Sequence, residues 1–341
     1  MAGAKWAQKI QLGRESVAGS AVAATTIWRG MGGMLKDNMT INMVDELIGI
    51  ALPTTRNYIG NYEGALSMAA TPASFEQLPH ILEAGIKSVG TGAADGSGTD
   101  KIYAYPVGIT AANTIKTYTI ETGDNQQAEE MSYSFVEKFT LSGERGQAVM
   151  VSADWIGQQV TTTTFTGALT VPTAEIILAP RGQFFIDAVS GTIGTTQVSE
   201  VLLKWELSVT TGWRAKYTID SELAGGGQKF AFAYFDRDSF KAEFSATFEH
   251  NATTVAQKGL FRAGTPRLFR IQIPGSAVGT GGTTYSNKWL IIDMAAVYSD
   301  WDALDAEDGN GIASVKAQIG YDPTAGKALS ITVVNELTSI P

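Results

Sequence analysis

Residues 65–71 (Ala-Leu-Ser-Met-Ala-Ala-Thr) read as a strand and 73–86 (ASFEQLPHILEAGI) as a short helix, and four strands follow at 101–107, 115–121, 132–142 and 147–156. The same order then returns. Residues 243–249 (EFSATFE) read as a strand, 251–263 (NATTVAQKGLFRA) as a helix, and 267–274, 288–298, 311–320 and 328–336 as four strands. The halves share little residue identity, so the repeat is one of order and spacing. It predicts a mainly β chain with minor helix, built as two tandem β-sandwich or barrel domains, each with one short flanking helix. Residues 1–157 form the first domain with an N-terminal arm and loop, 158–173 a linker and 174–341 the second domain. Duplicated domains within a chain are common in symmetric building blocks.

Composition agrees with this reading. A chain of 341 residues holds roughly two domains of about 150 residues, each able to bury a core. Its 37 glycines, with runs of Thr and Ser, mark many turns and short strands. The net charge of −9 opposes phosphate binding, which draws most of its non-specific affinity from Lys and Arg. The absence of cysteine removes disulfides, zinc–thiolate sites and thiol nucleophiles together. Residues 1–13 lack the apolar run of a signal peptide, and no run of about 18 apolar residues exists to cross a membrane. Synthesis in a bacterial cytosol is the expectation.

Three stretches fall outside the repeat. Residues 1–26 are small and polar and read as an extended arm or loop. Residues 28–62 mix Gly, four Met and aliphatic residues without a clean period. Two readings stand: two strands and a long loop folded on the first domain, or a long hairpin that orders on a neighbouring subunit, where adaptable Met side chains fill irregular interfaces. Residues 158–173, with four consecutive Thr and Pro172, read as the linker, with room for a short edge strand. Beyond it, 175–187 and 198–209 read as strands. In 213–220 (WRAKYTID) Trp213, Ala215, Tyr217 and Ile219 take one face of a strand and Arg214, Lys216 and Thr218 the other.

Candidate chemistry is sparse. Of the two histidines, His80 lies in the first helix beside Pro79 and His250 just before the second, both read as surface or element-end residues. No G-x-S-x-G elbow accompanies them. The acidic run 300–311 (DWDALDAEDGNG) is the most metal-like stretch, but a calcium loop needs oxygen ligands at its first position and a Glu at its last. Setting Gly309 at the loop glycine puts Leu304 first, and setting Gly311 there puts Ala306 first and Ala317 last. A solvated acidic connection between strands is the reading instead. The Gly-rich segments 90–98 and 275–284 lack a following helix and a Walker lysine, so they read as flexible loops. No catalytic, cofactor or metal residue is therefore expected.

Residues Leu12-Gly13-Arg14-Glu15-Ser16-Val17-Ala18-Gly19-Ser20-Ala21, followed by Trp28-Arg29-Gly30, resemble the opening of the tail tube proteins of long-tailed bacteriophages. The order of elements over the rest of the chain is similar too. The resemblance implies a non-enzymatic virion protein of the phage tail. Rings of equivalent β domains would stack into a hollow tube, and a chain with two domains would need three copies per ring. It further implies self-association, contacts with tape measure and terminator or tip proteins, and double-stranded DNA passing through the bore without specific binding. An acidic or neutral lining would keep that DNA from adhering. Other β-rich structural proteins (a decoration protein, pilus-like subunit or adhesin) are the alternative. A hydrolase or sugar-binding protein would need a polar cleft, and an outer-membrane porin would lack the helices between strands.

Overall fold

The computed structural model describes residues 3–30, 32–52, 54–219 and 230–341. Its first half contains strands β1 (Lys9–Arg14), β2 (Thr26–Ile27), β3 (Lys36–Asp45) and β4 (Thr54–Pro72), then helix α1 (Leu78–Gly85). Strands β5 (Ala93–Ala94), β6 (Lys101–Pro106), β7 (Tyr118–Gly123), β8 (Ala128–Glu144), β9 (Met150–Gly157) and β10 (Val160–Thr163) follow. The second half contains β11 (Gln183–Ala188), β12 (Leu202–Thr210), β13 (Trp213–Lys216), β14 (Tyr234–Arg237) and β15 (Lys241–Glu249), then α2 (Ala252–Arg262). It closes with β16 (Arg267–Ala277), β17 (Asn287–Trp301), β18 (Asp305–Glu307), β19 (Asn310–Ile319) and β20 (Leu329–Asn335). The molecule is mainly β: one large antiparallel sheet system and a small β13–β14 sheet.

Sequence pattern explains the elements locally. Strands β12 and β15 alternate buried and open positions, as period-2 side-chain placement requires of a strand with one covered face. Strand β7 is buried at all six positions, so its polar residues need partners inside the protein. Helix α1 carries Pro79 in its first turn, where a missing N–H costs nothing, and all eight residues are buried. Helix α2 is capped by Asn251, whose side chain accepts from Thr254 N at 3.1 Å, and lies more exposed. One apolar cluster runs from Ile10 to Ile340 through both halves.

Strand pairing reveals how the repeat is built. In the first half β1 pairs with β7, β7 with β8, β8 with β9 and β10, β9 with β4, and β4 with β3. In the second, β11 pairs with β16, β16 with β17, β17 with β19 and β20, β19 with β15, and β15 with β12. The two sets correspond term for term, all antiparallel. A 3-10 turn precedes the first strand of each set, at Lys5–Ala7 and Ala179–Arg181. The β8–β9 register shifts between Val136 and Lys138, and the β17–β19 register shifts at the matching place, between Tyr298 and Asp300.

This correspondence displaces the sequence-based alignment by one strand. Residues 267–274 match β7, not 101–107, because β6 is an insertion that pairs with β20 of the other half. Strand β10 lies inside the stretch read as linker and matches β20. The N-terminal segment read as an arm contains β1, whose Ile10 and Leu12 are buried on β7. Six residues with only two aliphatic side chains gave too short a pattern to recognise. Pro180 turns residues 179–181 into a 3-10 helix, so the strand expected over 175–187 begins at Gln183. The 213–220 strand is ordered as β13 to Lys216, and Ile219 is exposed; its last residue, Asp220, lies outside the described residues. Met31, in the mixed stretch 28–62, also lies outside them, as do residues 1 and 2 of the N-terminal segment.

Candidate assembly surfaces

His80 is not a surface residue: it is 1% exposed, because α1 is enclosed on all sides. Its Nδ1 lies 3.1 Å from Tyr118 Oη, and Tyr118 donates to Glu83 Oε1 at 2.5 Å. Glu83, also fully buried, takes a bidentate contact from the Arg14 guanidinium and a hydrogen from Gly90 N at 3.2 Å. Burial, and secondarily the Arg14 charge, push the His80 imidazole down to about 3. The neutral ring is a satisfied part of the core. His250 is exposed before α2, as expected. Glu15 is enclosed too, accepting from Gly19 N, Tyr133 N and the hydroxyls of Thr117 and Thr119 at 2.7–3.1 Å. Arg14 and Glu15 thus anchor the segment around 12–21.

The surfaces with an evident geometry are strand edges. Within the chain, β12 of the second half pairs with β8 of the first, from Lys204 opposite Glu144 to Thr210 opposite Lys138. Trp205 covers this joint: a Cβ on Gly143 would come within 2.5 Å of its indole nitrogen, so only glycine admits the ring. The 3-10 turn Ala179–Arg181 and Trp205 border a groove of ≈ 420 Å³ beside it.

The counterparts of those two edges carry no strand among the described residues. The pairing correspondence places Lys36 where the second half has Ser208, and Asp302 where the first half has Thr140. Strand β3 pairs only with β4, and β18 only with β19. Residues 302–307 are exposed, as are Lys36 and Asp37. The acidic connection is therefore itself a sheet edge, with a turn at Asp308 and Gly309, both of positive φ. Ser208 stands directly opposite Thr140, so the same joint made between two chains would set Lys36 opposite Asp302. Opposite charges in that position stabilise a cross-strand pair. Trp6, 90% exposed, lies in the turn matching Ala179–Arg181 and would border the matching groove.

A second surface is the β3–β4 hairpin, which extends well beyond the sheet. Met43, Leu47, Ile48, Ile50, Leu52 and Tyr58 are all exposed on it. Exposed apolar side chains gathered on one projection mark an interaction site. The third place of note is where the two Gly-rich segments meet. They are not free loops but pack on one another: Thr99 N donates to Thr280 O at 2.9 Å, and a Cβ on Gly98 would come within 2.6 Å of the Gly282 backbone. Nothing in the sequence signalled the contact, because 181 positions separate Thr99 from Thr280. No helix among the described residues is long and apolar enough to cross a membrane. No protein-family model matches this sequence, and no curated protein matches it.

Proposed function

We propose that the chain is a structural virion protein that polymerises, as stacked rings of three chains, into the hollow tail tube of a long-tailed phage. One observation carries the reading: the two repeats are joined edge to edge by β12 on β8, and the corresponding edges, at residues 36–38 and 302–306, pair with no strand on that side among the described residues. Repeating the internal joint between chains continues the sheet from copy to copy and covers edges that would otherwise pair without control. Two near-equivalent domains per chain and three chains give a pseudo-hexameric ring.

The β3–β4 hairpins serve to hold one ring to the next, because their apolar side chains project past the sheet. The partners are then other copies of this chain, with the tape measure and the terminator or tip proteins at the interior and ends. The net charge of −9 suits a bore through which double-stranded DNA slides without adhering, since few cations are available to trade for its counterions.

A charge swap tests the joint. Lys36→Glu alone should block polymerisation while leaving the unfolding midpoint unchanged, because Lys36 is exposed. Adding Asp302→Lys should restore it. Polymerisation that ignores both substitutions would reject this joint.

A further inference from the structure

Two carboxyl groups sit at the junction of the Gly-rich segments with unequal support. Asp95 Oδ2 accepts from Thr284 N and Tyr285 N, each at 2.7 Å, across the boundary between the repeats. Asp100 is 0% exposed, and neither of its carboxylate oxygens has a hydrogen-bond partner. Both carboxyls crowd the same backbone: a Cβ on Gly282 would come within 2.4 Å of Asp95 Oδ2, and a Cβ on Gly98 within 2.2 Å of Asp100 Oδ1 and 2.6 Å of the Gly282 backbone. The nearest cationic side chain, Lys101, turns its Nζ to the Asp100 backbone oxygen at 3.2 Å and not to the carboxylate. A buried carboxylate beside a second one, with no donor from another residue, is disfavoured unless it holds a proton or a cation.

We propose that Asp95 and Asp100 bind a calcium-class cation at this junction, which ties residues 95–100 of the first repeat to residues 282–285 of the second. The surroundings favour the cation. The Asp95 and Asp100 carboxylates are hard oxygen donors and residues 95–100 hold no nitrogen or sulfur ligand, the donor type that Ca²⁺ takes in irregular loops. Mg²⁺ demands stricter octahedral geometry and keeps its waters, so it fits such a loop less well. Glycines at 96 and 98 bring the backbone close, and side chains there would meet Thr283 at 2.3 Å and Asp100 at 2.2 Å. The site is independent of the assembly joint, lying in the β5–β6 and β16–β17 loops.

The test is thermal unfolding of the full chain after chelation with EGTA, then with millimolar Ca²⁺ or Mg²⁺. Ca²⁺ should raise the midpoint by several degrees and Mg²⁺ by less, because a ligand that binds only the folded state stabilises it. Asp100→Asn should abolish the response while keeping the native circular dichroism spectrum. Asp302→Asn with Asp305→Asn, on the exposed acidic edge, should leave the response intact. A midpoint indifferent to EGTA and Ca²⁺ would overturn the proposal. So would a calcium response lost with Asp302 and Asp305 but kept in Asp100→Asn.

Discussion

His80 shows what a buried polar side chain contributes at the scale of one residue. Its imidazole is held neutral down to about 3 by burial and by Arg14, whereas in the unfolded chain it takes a proton near 6.5. Between those values the unfolded state binds more protons, so stability falls as the pH is lowered through 6.5. From pH 7 to pH 5 this residue alone should remove about 2 kcal/mol. His80→Asn should reduce the acid sensitivity of urea unfolding by that amount, and equal pH dependence in both proteins would refute the assignment. Glu83 acts at the other end of the same network. Its removal strands the Arg14 guanidinium, which is largely enclosed, and Glu83→Ala should cost about 3 kcal/mol or more in the same experiment. The sequence named His80 but misplaced it. Its helix reads as an ordinary amphipathic segment, and enclosure on every side comes from strands distant in the chain.

At the scale of elements, local patterns were legible and partners were not. Strands β15, β17 and β19 were read within a few residues of their bounds: β15 and β19 alternate with one face on the core, and β17 is a run buried on both faces over Leu290–Ile292 and Met294–Ala296. Pairing depends on neighbours far along the chain, so the repeat was matched one strand out of step and β6 was given a counterpart it lacks. The long stretch 28–62 had no clean period for a physical reason: most of β3 and the distal half of β4 are exposed on both faces, so no core selects alternate positions. That exposure also makes the hairpin separable. Replacing residues 42–58 with an Asn-Gly turn closes it directly between Ile41 and Ile59, which already face each other. The shortened protein should keep its unfolding midpoint within about a degree, because none of the deleted side chains among the described residues belongs to the core, yet form single rings in place of tubes. Tubes of normal length, seen by negative-stain microscopy, would remove the hairpin from any role in stacking.

At the scale of the whole molecule the repeat is one pairing scheme made twice and joined edge to edge. One apolar core runs through both halves and takes in the β12–β8 joint, the contact that the proposed assembly would repeat between chains. In the proposed assembly the edges at Lys36 and Asp302, which pair with no strand on their outer side among the described residues, are where the next copies would attach. Symmetry of this kind was visible in the sequence as repeated element order, while the edges that express it appeared only with the strand register. The most direct measurement is electron microscopy of the purified, concentrated protein, with averaging of end-on views. The account predicts hollow rings of six lobes, each ring built from three chains, stacked into tubes of one width. Protein that stays as single chains at every concentration, or rings whose lobes do not number twice their chains, would contradict it.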